Sequence, residues 1–163
     1  VGFLSLILEL PDRLLAKLRE ISESRGIPVE ELILESLYKY LNILDRNTRV
    51  EMHLKLCDKY LREAEGLLSR REYTQTSGKL WAAVTQIVIA VASKRDLMLD
   101  THTKLWEFIA KLRAELNDPE LGRLWSSANA LHRNSYEAQI PPELVKDYAQ
   151  DVIKLIEKLR KLA

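Results

Sequence analysis

The chain has 163 residues, enough for one domain or a domain with a small appendage. It is 47% hydrophobic and 30% charged, which excludes a disordered chain, and 25 basic against 24 acidic side chains leave a net charge of +1, which excludes a strong overall field toward nucleic acid or an anionic membrane. Five Gly and five Pro among many Leu, Ala, Glu, Lys and Arg point to an all-α protein, and the single Cys57, on an apolar helical face, excludes an intramolecular disulfide and is expected to be a small buried hydrophobe.

In Val1–Leu10 the leucines at 4, 6, 8 and 10 alternate with Ser5, Ile7 and Glu9, a period of two that predicts a strand. A lone strand leaves its backbone groups unpaired. No second strand is found along the chain, so pairing with another copy through Leu4, Leu6, Leu8 and Leu10 is expected, giving a homodimer or higher homo-oligomer. Pro11 and Asp12 open a helix with Leu14, Leu15, Leu18 and Ile21 at helical spacing, and Gly26 ends it as a left-handed cap. Pro28 opens the next, with Val29, Leu32, Ile33, Leu37, Tyr40 and Leu41 on one face.

The run Leu6–Glu20, followed by Ser24-Arg-Gly-Ile-Pro-Val-Glu-Glu-Leu-Ile33, resembles a ribbon-helix-helix domain over roughly residues 3–43. That resemblance implies an intertwined dimer whose paired strands enter the DNA major groove. With the even-numbered leucines inward, Phe3, Ser5, Ile7 and Glu9 face out, where base reading wants Arg, Lys, Asn, Gln or Thr. Residues 1–44 carry five basic and seven acidic side chains, net −2, so a dimerising arm is favoured over a DNA-reading one. The alternative, a transcriptional regulator, would read DNA through Ser5 and Ile7.

Asn42 to Asn47 is a candidate hinge, and residues 45–163 are expected to form the second unit. A long helix over about Arg46 to Arg70 has Val50, Leu54, Cys57, Leu61, Ala64, Leu67 and Leu68 as its stripe. The next begins near Tyr73 and is apolar on nearly every side from Lys79 to Ala92, interrupted by Thr85 and Gln86. Such a helix must be covered all round, yet its apolar run is too short for a bilayer, which needs roughly 20 residues. It is expected to be the centre of a bundle. Gly78, in its early turns, suggests a close helix–helix approach. Asp100 or Thr101 starts a helix lined by Leu105, Trp106, Ile109, Leu112 and Leu116. Asn117-Asp-Pro119 stops it and starts another, with Leu121, Leu124, Trp125, Ala128 and Leu131 inward. Ile140-Pro-Pro142 breaks the pattern before a last helix to about Leu162, with Leu144, Val145, Tyr148, Val152, Ile156 and Leu159 inward. Three Trp fit core positions.

From residue 49 on, this order of helices, with the segments Arg71-Glu-Tyr-Thr-Gln-Thr-Ser-Gly-Lys-Leu-Trp-Ala-Ala83 and Ala128-Asn-Ala-Leu-His-Arg-Asn-Ser-Tyr-Glu137, resembles the archaeal paREP family. The bundle of that family is similar to the HEPN (higher eukaryotes and prokaryotes nucleotide-binding) domain. The resemblance implies an antiparallel HEPN-like bundle, a dimer, and a nucleotide or nucleic acid as candidate partner; many HEPN domains are RNases. Their signature, an Arg followed by about four to six residues and then a His, is not matched. No His lies downstream of Arg133, and Arg123 is too far from His132.

The ligand-binding candidates are therefore His132, Arg133, Asn134, Tyr136 and Glu137, the densest polar group near a helix end, with Lys79 from the central helix. The competing structural reading is a helix cap in which His132 and Asn134 bond backbone carbonyls and Tyr136 packs. A HEPN-type RNase or toxin would use His132 and Arg133, although adjacent helical residues point about 100° apart. His53 and His102 have no second ligand at helical spacing, so no metal site is expected, and no cofactor motif is present. No signal peptide, anchor or membrane span is read, so a cytoplasmic location is expected.

Overall fold

The computed structural model describes residues 6–42 and 45–163, so the expectations placed on Leu4, Ser5 and the middle of the hinge lie outside the described residues. Among these residues the chain forms seven α-helices: α1 (Asp12–Arg25), α2 (Val29–Leu41), α3 (Arg46–Ser69), α4 (Tyr73–Lys94), α5 (His102–Glu115), α6 (Glu120–Glu137) and α7 (Pro142–Arg160). No helix among them is long and apolar enough to cross a membrane.

The expected N-terminal strand is not found. Residues 6–10 carry no regular secondary structure, and no strand occurs among the described residues. Leucines spaced by two are compatible with a strand, but a strand exists only where a neighbour completes its ladder, and the described residues supply none. Leu6, Ile7 and Leu8 are exposed as a result.

Helix α4 is the centre of the molecule, packed against α3, α6, α7 and α5. From Leu80 to Ser93 every residue but Ala82 is buried. Ala83, Ala90 and Ala92 let the surrounding helices come close, while Val84, Ile87 and Val88 fill the spaces between them. The Thr85 hydroxyl is satisfied within the helix, donating to the Ala82 carbonyl at 2.9 Å. Helices α6 and α7 pack on each other as well as on α4. Their seam carries ion pairs at its edge, from Lys154 and Lys158 to Glu120 and from Arg123 to Asp151.

Helix starts follow local chemistry. The Asp45 side chain accepts from the Thr48 amide at 3.0 Å, and the Thr101 hydroxyl accepts from the Lys104 amide at 3.2 Å, each capping the helix that follows. Asp118 accepts from the Glu120 amide at 3.1 Å, and Pro119 stands one position before the first helical residue. Gly26 ends α1 at φ 67°, the left-handed cap anticipated for it.

Several expected faces are turned. Helix α3 buries Met52, His53, Leu56, Cys57, Tyr60, Ala64 and Leu67, so the face is rotated from Leu54 and Leu61 toward His53 and Tyr60, whose polar tips find partners inside. Trp106 and Leu116 of α5 are exposed, because Leu105, Phe108, Ile109 and Leu112 form its inner face. Leu144 is exposed for the same reason beside buried Val145. In α2, Leu37, Tyr40 and Leu41 are exposed: Glu31 and Leu32 are buried in its first turn, after Ile27, and Leu34 and Tyr38 pack on the core partly buried.

At Gly78 a Cβ would meet the Ser135 Cβ at 3.5 Å, an ordinary van der Waals distance. The expected close approach is therefore real in direction but does not require glycine. Gly78→Ala should stabilise the fold by about 0.5–1 kcal/mol through helix propensity, read as a rise in the denaturant midpoint without a change in slope.

Candidate functional site

The residues 132–137 lie on the last turns of α6, where neighbours one position apart diverge and those four apart meet. This divides the sequence candidates between two cavities. Lys79, His132 and Tyr136 border a cleft of about 430 Å³ between α1, α2, α3, α4 and α6, together with Glu23, Glu30 and Gly78. Arg133, Asn134 and Glu137 border a groove of about 510 Å³ on the other side of α6, with Trp106, Leu144 and Tyr148.

Rings crowd the first cleft. Trp81, His102 and His132 lie nearly parallel, with centroids 4.3 Å apart for Trp81–His132, 4.8 Å for His102–His132 and 5.3 Å for Trp81–His102. The ring of Tyr136 stands edgewise to His132, with its hydroxyl 2.6 Å from Nε2. Burial, and then the neighbouring His102, push the His132 imidazole down to about 4, and burial lowers His102 as well. Both rings are neutral at pH 7, so the Tyr136 hydroxyl can donate to an unprotonated Nε2.

The close approach of His102 explains Gly26 a second time. A Cβ at this position would run into the His102 ring. The ring cluster is thus a fastening as much as a site: it presses the α1–α2 turn onto the start of α5 and the end of α6.

The charges of the cleft are mostly spoken for. Lys79 Nζ lies 2.6 Å from Glu63 and over the Tyr60 ring at 5.2 Å. Glu30 accepts from Lys59 at 2.7 Å and from the Tyr60 hydroxyl. With Glu23 added, the walls carry two carboxylates against one ammonium, which disfavours a polyanion.

Asn134 is not a ligand group. It is buried, donates its amide to the Ser77 hydroxyl at 2.9 Å and accepts from the Ile140 amide at 2.8 Å. Instead of bonding helix carbonyls, as a cap would, it satisfies the backbone N–H beyond the helix and ties α6 to α4. Arg123 is likewise structural, held by Asp151 at 3.1 Å and Glu120 at 3.1 Å. Cys57 is fully buried, and burial pushes its thiol up to about 12, so it is not a nucleophile.

A second polar cluster was not visible as a unit in the sequence. Gln86 of α4 donates to Glu31 of α2 at 2.5 Å, and its carbonyl oxygen lies 2.8 Å from His53 Nδ1 of α3. All three side chains are buried. Its one sequence signal was Gln86 itself: an amide inside an all-apolar helix must have partners. His102 gave no local signal, since its neighbours are more than 20 residues away in the chain.

A family model for the archaeal PaREP1/PaREP8 family matches residues 52–156, from α3 into α7. The chain belongs to this family. No curated protein and no solved structure matches it. The matched range contains both motif segments near residues 71–83 and 128–137, and it stops short of α1 and α2. Both cavities therefore have walls inside the family range, but the 430 Å³ cleft is closed by residues that precede it.

Replacing Asn134 by Ala should cost about 1–3 kcal/mol by stranding the Ile140 amide, read as a lowered midpoint in chemical denaturation. Gly26→Ala should cost about 1–3 kcal/mol or more, since it meets both a left-handed backbone and the His102 ring. Differential scanning calorimetry would measure it, and a shift of less than 1 °C would contradict the packing described.

Proposed function

We propose that this chain is a non-catalytic, homo-oligomeric interaction protein, with a HEPN-like bundle in α3–α7 and an N-terminal segment through which copies associate. The observation that carries this reading is where exposed apolar surface falls. Of fourteen exposed large hydrophobic side chains among the described residues, seven lie between residues 6 and 41: Leu6, Ile7, Leu8, Leu14, Leu37, Tyr40 and Leu41. Ile7 is 94% and Tyr40 87% exposed, and α1 has no fully buried residue. Apolar surface concentrated in a quarter of a chain favours a protein partner. Self-pairing of residues 4–10 would cover part of it and supply the missing strand ladder, with Leu4, Leu6, Leu8 and Leu10 as the proposed contacts.

The division of α6 supports the non-catalytic part. An RNase centre needs a proton-transfer group and a phosphate-binding cation converging on one atom. His132 and Arg133 open into different cavities of the same subunit. Ligand binding in the Lys79–His132–Tyr136 cleft is proposed for a neutral nucleoside or base rather than a nucleotide, because Glu23 and Glu30 oppose a phosphate.

Light scattering decides the main reading. The full chain should give at least twice the 18.9 kDa protomer mass, and a version lacking residues 1–10 should shift to the protomer. A full-length monomer at micromolar concentration would overturn it. Incubation with total RNA should give equal, background cleavage for wild type and His132→Ala. Cleavage by the wild type alone would replace this reading with a nuclease.

A further inference from the structure

The α1–α2 segment meets the bundle through a carboxyl group that no Lys or Arg among the described residues holds in an ion pair. Glu31 of α2 is 1% exposed. Its hydrogen bond comes from the Gln86 amide, and Gln86 is in turn bonded to His53. The second Glu31 oxygen lies 3.9 Å from His53 Nδ1, which is directed at Gln86.

A small cavity of about 100 Å³ is lined by Glu31 and His53 and brings other charges near: Arg25, Glu35, Lys39, Arg49 and Asp100. Each cation close by has another partner or faces water. Arg25 pairs with Glu35 at 3.4 Å, Arg49 pairs with Asp96 at 3.1 Å, and Lys39 is exposed to water. Asp100 is held by Lys104 at 2.5 Å. A buried carboxyl with one amide bond and no ion pair is accepted as the neutral acid and resisted as the anion. Burial is indeed the main influence, pushing this carboxyl from 4.5 up to about 7; the Gln86 bond and Arg25 oppose it and Glu35 adds to it.

We propose that Glu31 is a proton-operated fastening, which holds α1 and α2 on the bundle as the neutral acid and releases them when its proton leaves to solvent. Release separates Glu31 from Gln86 and uncovers Ile27 and Leu32, which are buried where α2 begins. The freed segment then offers more apolar surface to a second copy. That consequence rests on the self-association proposed above; the fastening does not.

The direction with pH is fixed by linkage. The undocked carboxyl titrates near 4.5 and the docked one near 7, so between these values the docked form binds more protons. Docking is strongest below the lower value, weakens as pH rises through the window and is level above it. His53 acts oppositely: burial holds its imidazole below the usual range, so docking gains from its side as pH rises toward 6.5.

Two measurements test this. Carboxyl ¹³C NMR on the unmodified protein should find Glu31 titrating above pH 6, and a midpoint near 4.5 would overturn the proposal. Hydrogen exchange of α2 amides, corrected for intrinsic rates and referenced to α4, should show opening increase about tenfold or more from pH 5 to pH 8. In Glu31→Gln that increase should vanish or reverse, since only His53 remains. An equal increase in both proteins would also overturn it. Light scattering at the same two pH values separates the readings: a monomer at both, with α2 still opening, removes self-association and leaves the fastening in place.

Discussion

Helix α4 has no side it can leave to water, and the architecture follows from that. An amphipathic helix needs one neighbour; a helix apolar all round needs several, and α3, α6, α7 and α5 supply them. The alanines on α4 set how close these neighbours come, and the aromatic side chains Trp81 and Trp125 fill the thicker gap toward α6, their rings 5.3 Å apart. Each outer helix can then afford a polar outer face, which is why a chain with 30% charged residues still encloses so large a core.

Where polar groups do enter this interior, they join elements that are distant in the chain. Gln86 links α2 to α3 across α4, and Asn134 links α4 to the backbone after α6. Buried amides are costly unless every bond is made, so each of these contacts fixes a particular register of the helices around it. Apolar packing alone would tolerate a slipped neighbour more readily. The rings of Trp81, His102 and His132 act similarly at the other end of the α1–α2 turn, with shape rather than hydrogen bonding setting the fit.

Much of this could be read from residue order. The seven helices, their limits to within one or two residues, the central place of α4 and the left-handed turn at Gly26 are local or periodic properties. So is the split between His132 and Arg133, which follows from 3.6 residues per turn. The exact inner face of α3 was misjudged because His53 and Tyr60 look polar in sequence and are buried by partners that sequence does not place beside them. Trp106 was assigned to the core because it falls within a helical apolar pattern, yet it is 43% exposed on the rim of the 510 Å³ groove. The N-terminal strand failed for a different reason: alternation states what a strand would bury, whereas its existence depends on a neighbour outside the chain. The meeting of His102 with His132, and of Glu31 with Gln86, is purely tertiary.

Cys57 sits where α3 meets the end of α7, with Arg160 Nη2 4.0 Å from its sulfur and anchored to Asp58 at 2.6 Å. While those helices stay together no reagent can reach the sulfur. The molecule therefore carries an internal clock: the speed at which a thiol-specific probe labels it reports how often α3 and the end of α7 part, without any engineered tag.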